Sequence, residues 1–338
     1  MKNQEQYKIL EKRLKECYGI DVKHCEIREG EKSNVLYVHY KNHRYVLKRI
    51  DYYYDDYKLN EMNEACIYVR ESGLGTPVLL PTIQGKLSFT VNDERWILYP
   101  WIDGNSFDGA NTSKNQLLSS ARACALIIGA LSKLPARPKN CAFQSDNEFL
   151  CKTIIEMKRL LNIIHDKELK TLLIWKVEQV GQLRKQDLSY IDKLTWANTH
   201  GDYHIEQQIF HGDEVVGVID FENFSFMPIA YELVFNYASF MDYRVSDSFF
   251  SFFEEYMKAF CEIQSLNRYD IIHVFNIYLL RNITSLCYFV AFSQEPTNEL
   301  YKIQAVKQTR LAMEIISNTD RLNSILLCIE EWRHEVID

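Results

Sequence analysis

Residues 199–222 read THGDYHIEQQIFHGDEVVGVIDFE, a stretch in which polar turns and apolar runs alternate at short intervals. Thr199, His200, Gly201 and Asp202 form a polar turn, and Gln208 begins a short strand that continues through Ile209-Phe210. Gly212-Asp213 is a tight-turn dipeptide. Val215 to Ile219 is an apolar strand that ends in the carboxylate of Asp220. Folded as a hairpin, the segment is expected to bring Asp202, Gln207 and Asp220 to one end. Phosphoryl transfer needs such a set. One carboxylate orients an attacking hydroxyl and takes its proton, while another carboxylate and an amide oxygen hold Mg2+ on the phosphates.

On both sides of this island the character of the chain differs. Upstream of Asp103 the pattern is a small mixed sheet crossed by one helix. A first helix over about Gln4 to Tyr18 stops at Gly19. Strands are expected at Val22 to Arg28, Ser33 to Tyr40, Arg44 to Ile50, Lys86 to Val91 and Arg95 to Tyr99, with a helix over about Lys58 to Glu71. Along Ser33 to Tyr40, Leu36, Val38 and Tyr40 fall on one face, and Val35, Tyr37 and His39 on the other. Beyond Asp103, Ser113 is a good N-cap for a helix ending before Pro135. Two helical stretches occupy about Asn147 to Leu188, and after Pro228 the chain is helical nearly to its end. Residues 1–102 are expected to form a small β-rich N-terminal lobe. Residues 103–338 are expected to form a larger helical lobe carrying the hairpin, an α+β architecture.

The segment 199–222 resembles the catalytic loop of aminoglycoside phosphotransferases and choline-kinase-like enzymes, relatives of the protein kinases that include spore-coat-associated members. Their pattern is HGD, an aromatic or Leu, then His, two variable residues and Asn, with a later I-D-[FW]. Here it is supplied by His200-Gly201-Asp202, Tyr203-His204 and Ile219-Asp220-Phe221, with Gln207 where the family usually has Asn. The resemblance implies a two-lobed protein-kinase-like fold, Asp202 as catalytic base, and Asp220 as the principal metal ligand with Gln207 beside it. His200 is expected to brace the loop.

The same resemblance assigns the first lobe to the nucleotide. Lys48, at the end of Tyr45-Val46-Leu47-Lys48 on the third strand, takes the position of the lysine that holds the α and β phosphates. Glu64 on the following helix is its expected acidic partner, with Glu61 one turn earlier as the alternative. The turn Glu29-Gly30-Glu31-Lys32-Ser33-Asn34 would cover the phosphates through backbone N–H groups and the Ser33 hydroxyl, with Asn34 beside it. The stretch Tyr99-Pro100-Trp101-Ile102-Asp103 resembles the hinge, implying adenine recognition by main-chain groups near Pro100 and Ile102. Pro100 can offer only its carbonyl. Pro228 to Leu233 resembles the helix after the metal aspartate and reads as a structural helix start. Asp242, Glu254 and Glu255 are candidates for contacting a cationic acceptor.

Composition narrows the partners. The chain has 338 residues, 47% apolar and 25% charged, with a net charge of −7, a balance that disfavours nucleic acid. Nine cysteines without a CxxC or CxH spacing read as reduced thiols, and with a charged, helix-patterned N-terminus they point to the cytoplasm. No uninterrupted apolar run long enough to cross a bilayer is expected. The sequence therefore predicts an ATP-dependent (or GTP-dependent) kinase using Mg2+ and a hydroxylated small molecule, an amino alcohol, a sugar or an aminoglycoside-like compound. The alternative is a non-catalytic relative of the spore-coat kind. Neither a Walker A loop nor a GxSxG elbow is present.

Overall fold

The computed structural model describes residues 2–21, 24–29, 34–51 and 54–337. The chain divides into two compact units. The first runs to Asn105, three residues past the boundary expected from sequence, and also takes in Ile209–His211 and Val215–Phe224. Contiguous lobes at 1–102 and 103–338 therefore do not describe the division, because the arms of the hairpin belong with the sheet.

In the first unit, α1 (Lys2–Tyr18) precedes β1 (His24–Glu29), β2 (Asn34–Tyr40), β3 (His43–Ile50), α2 (Asp56–Glu71), β4 (Phe89–Val91) and β5 (Glu94–Pro100). The strands form one antiparallel sheet in the order β1-β2-β3-β5-β4. Gly19 stops α1 with φ 67°, and its N–H bonds to the carbonyl of Lys15. The inward residues of α1, Leu10, Leu14 and Cys17, pack with Leu36, Val38, Leu47, Trp96 and Leu98. Leu36 and Val38 thus share the buried face that their alternation predicts. In β3 the period of two sends Leu47 to that core and Val46, Lys48 and Ile50 to the opposite face. Lys48 pairs in register with Val35 and Ile97.

β7 (Gln208–His211) and β8 (Glu214–Val218) form the hairpin. Val218 N–H donates to the Gly75 carbonyl and Gly75 N–H to that of Val216, each at 2.8 Å. The two glycines are required by space. A Cβ on Gly217 would lie 2.6 Å from Ile102 Cγ2 and 3.0 Å from the Gly75 carbonyl oxygen. Gly217→Ala is therefore expected to destabilise the fold by about 1–3 kcal/mol, the cost of overpacking. Denaturant titration checks this, and an unchanged midpoint would show that Ile102 moves aside freely.

The second unit contains α3 (Lys114–Leu131), α4 (Asn147–Ile163), α5 (Lys167–Leu183), β6 (Trp196–Thr199), β9 (Ser225–Pro228), α6 (Ile229–Phe240), α7 (Asp247–Cys261), α8 (Arg268–Ile272), α9 (Val274–Thr284), α10 (Cys287–Gln294), α11 (Glu299–Ser317) and α12 (Thr319–Ile337). Ser113 caps α3 in a reciprocal capping box with Gln116. β9 pairs antiparallel with β6, from Trp196↔Pro228 to Thr199↔Ser225. Much of the aromatic content is core: Tyr237 meets Phe249, Phe253 and Tyr256 at centroid distances of 5.0, 5.0 and 5.1 Å. By length and composition alone, Val274–Gln294 reaches the mean hydropathy (1.3) of a membrane-crossing segment. It folds as α9 and α10, broken after Thr284, and half of its apolar window is buried.

Lys176 on α5 holds that break. Its buried ammonium donates to the carbonyls of Asn282 and Ser285 and lies over the Phe289 ring. Burial lowers its pKa to about 7, helped by Arg281 and opposed by Cys287. The unfolded chain keeps a proton that the folded chain releases above that value, so the contribution to stability is flat below pH 7 and rises above it. Between pH 8 and 9.5 the unfolding free energy is expected to gain about 2 kcal/mol from this residue. Urea titrations of wild type and Lys176→Met should diverge by this slope; parallel curves would contradict it.

Candidate functional site

In the first unit the centre is Lys48. Its side chain is 10% exposed and its ammonium bonds to Asp220 Oδ1 and, at 2.6 Å, to Glu222 Oε1. Burial would lower the lysine, but Glu222 and Asp220 outweigh it and hold the ammonium above its ordinary value. Asp220 has left-handed backbone angles, φ 67° and ψ 50°, which a short polar side chain tolerates. Glu222 is fixed from behind, its carbonyl accepting the Tyr54 hydroxyl at 2.7 Å.

One expectation changes here. Glu64 is exposed on α2 and does not meet Lys48; the helix turns Leu59, Met62, Ala65, Cys66 and Val69 inward instead. The carboxylate beside Asp220 comes from Glu222, two residues further along the same chain. Glu222 is the last residue of the I-D-F-E run, and the backbone turn at Asp220 is what gives it this role. Ser33 and the turn before it lie outside the described residues, and Asn34 is described only as the first residue of β2.

The hinge residues follow β5. Pro100 is paired with Tyr45, Trp101 N–H donates to the Arg44 carbonyl, and Asp103 bonds to the Arg44 guanidinium. Ile102 turns its side chain onto Gly75 and Gly217.

Two carboxylates meet on a single ammonium, an arrangement suited to a further cation. Among the described residues no group of three or more His, Cys, Asp or Glu side chains could hold a metal. Mg2+ bound together with substrate phosphates uses one or two carboxylates and water rather than an all-protein cage, so Asp220 and Glu222 fit it.

In the second unit the His200–Gln207 segment is held by buried polar bonds. Gly201 has φ 85°, the left-handed turn that favours glycine. Its N–H donates to both Glu232 oxygens at 3.1 and 3.3 Å. The buried His200 ring accepts the Asp202 N–H at 3.3 Å, and the Tyr203 hydroxyl donates to the Ser120 carbonyl at 3.1 Å. Asp202 keeps a third of its side chain exposed, with His204 Nε2 4.0 Å from its Oδ2. Gln207 turns its amide to the His204 ring at 3.2 Å, and Gln208 is buried against Asn236.

Glu232 is the residue sequence reading passed over as part of a helix start. Burial raises its carboxyl to about 8, with Asp202 adding to the rise and Thr199, Gly201 and Tyr203 opposing it. It anchors the loop that carries Asp202 without being exposed itself.

The APH model, described as the phosphotransferase enzyme family, matches residues 24–270. The chain belongs to this family. No curated protein matches the sequence of this phosphotransferase-family chain. Solved structures share its fold. An amicoumacin kinase in complex with AMP-PNP, Ca2+ and Ami is 12% identical, with a TM-score of 0.65 over 91% of this chain and 93% of that one. A spectinomycin phosphotransferase in complex with ADP and spectinomycin is 15% identical, TM-score 0.62, over 96% and 98%. A microcompartment-associated aminopropanol kinase is 13% identical, TM-score 0.61, over 94% and 99%. This phosphotransferase-family chain thus has a protein-kinase-like α+β fold.

Proposed function

We propose that the protein transfers the γ-phosphoryl group of ATP or GTP to a hydroxyl of a small molecule. The observation that carries this reading is Lys48, buried and shared by Asp220 and Glu222 within a chain of the phosphotransferase family. A lysine so held presents its charge to phosphate oxygens. The carboxylates would hold Mg2+, which when bound offsets the charge of the phosphates. Main-chain groups at Pro100 and Ile102 serve the adenine or guanine ring. Asp202 orients the acceptor hydroxyl and takes its proton as the new O–P bond forms and the nucleoside diphosphate departs. Nucleotides named with the similar structures support the choice of co-substrate.

The same reading gives Gln207 a share in holding the metal. A second, non-catalytic reading draws on its position, because its amide is engaged by His204. Calorimetry with ATP and GTP, with and without Mg2+, separates the two. Metal-dependent binding supports the enzyme; no nucleotide binding at millimolar concentration would favour the non-catalytic protein.

A further inference from the structure

From Asp202 a row of rings leads across the second unit. His204 lies 4.0 Å from the Asp202 carboxylate and meets the Phe235 ring edge-on at 6.0 Å. Phe235 stacks on Tyr231 at 5.7 Å, and Tyr231 on Tyr278 at 5.9 Å. Tyr278 and Arg281 are three apart on α9 and so share a helix face. Arg281 is partly buried, yet among the described residues its guanidinium makes neither an ion pair nor a hydrogen bond. The hydroxyls of Tyr231 and Tyr243 also have no hydrogen-bond partner there. Tyr243 is held at φ 55°, in the left-handed region that a bulky side chain rarely adopts, and such positions cluster where ligands bind.

The acids that would attract a cation are already neutralised. Asp242 is paired with Lys307 at 3.0 Å and Arg244 at 3.2 Å, Glu254 with Lys258 at 2.6 Å, and Glu255 with Lys114 at 2.6 Å. The charge left without a partner on this row is positive. Partly burying a guanidinium without a counter-ion is costly, and its place in the last turn of α9 offsets only part of that.

We infer that Arg281 is a specificity residue that receives an anionic group, a carboxylate, on the acceptor whose hydroxyl Asp202 positions. The inference rests on the phosphotransferase reading. Tyr231 spans the two ends. Its hydroxyl is raised by burial, pulled back by Arg281 and pushed further up by Asp202, so both charges act on one side chain. A hydroxy acid can therefore present its hydroxyl to Asp202 and its carboxylate to Arg281, with the tyrosine hydroxyls donating to the same oxygens.

Three probes of one length test this: 4-hydroxybutanoate, 4-hydroxybutanamide and 4-aminobutan-1-ol, titrated calorimetrically into the protein with Mg2+ and a non-hydrolysable ATP analogue. Wild type is expected to bind the carboxylate at least about tenfold more tightly than the amide or the amine. Arg281→Gln should lose that preference and Arg281→Lys should keep part of it, with nucleotide affinity of each variant as the folding control. Equal binding of the three probes, preference for the amine, no binding of the carboxylate by wild type, or an unchanged Arg281→Gln variant would overturn the inference. Nucleotide binding with any of these results removes the Arg281 role alone, whereas a wild type that binds no nucleotide removes the phosphotransferase reading with it.

Discussion

Asp202→Ala is expected to lower the rate of phosphoryl transfer by about a thousandfold or more while leaving Mg–nucleotide affinity within about twofold of wild type, the range of a lost general base. The reason lies in how the loop is built. Its shape comes from the Asp202 N–H on His200, the Gly201 N–H on Glu232 and the Tyr203 hydroxyl on Ser120, none of which uses the Asp202 carboxylate. Truncating the side chain removes the group that takes the proton and leaves these bonds in place. Asp202→Asn should behave alike, since an amide keeps the shape but cannot accept the proton. Steady-state kinetics with a phosphorylated acceptor, paired with calorimetry, decides the matter. A parallel loss of turnover and of nucleotide affinity would mean that Asp202 works on the nucleotide and not on the acceptor.

The second large effect is expected at Asp220. Asp220→Ala should weaken Mg-dependent nucleotide binding by about a hundredfold, while the weaker metal-free affinity changes little, because Glu222 remains to hold the Lys48 ammonium. Asp220→Asn is the sharper variant. Asparagine tolerates the left-handed backbone at φ 67°, so the turn should survive while the charge is lost. Titrating nucleotide at several Mg2+ concentrations reads the effect as a flattened metal dependence. An undiminished dependence would take the metal away from Asp220.

Much of the frame was legible in the sequence because it rests on local chemistry. The alternation of Leu36 and Val38, the stop at Gly19 and the cap at Ser113 each need only a few neighbouring residues to decide them. What the sequence hid depends on distant partners or on handedness. Glu64 against Glu222 could not be settled by spacing, since the answer depends on a left-handed turn at Asp220 and on which face α2 buries. Glu232 looked like an ordinary helix residue because the N–H groups it receives come from a segment some thirty residues earlier. Gly75 and Gly217 carried no motif, and their need for a bare Cα shows only where two backbones meet Ile102. Asp242 and Glu255 looked like cation-binding acids until their lysine partners, remote in sequence, came into view, and Glu254 is taken up by Lys258 one helical turn on.

The discontinuous make-up of the first unit bears on how the chain is born. A nascent chain that has just released Asn105 from the ribosome has its sheet, but Lys48 still lacks both of its carboxylates and Gly75 lacks its partner strand. Roughly 120 further residues, several seconds of synthesis at ordinary rates, must emerge before Phe224 completes the unit. In that interval the unit, its sheet complete but its hairpin missing, carries an uncompensated ammonium and open backbone groups at Gly75, a species for a chaperone to shield. A gene cut after codon 105 would yield that same orphan and not a free-standing domain.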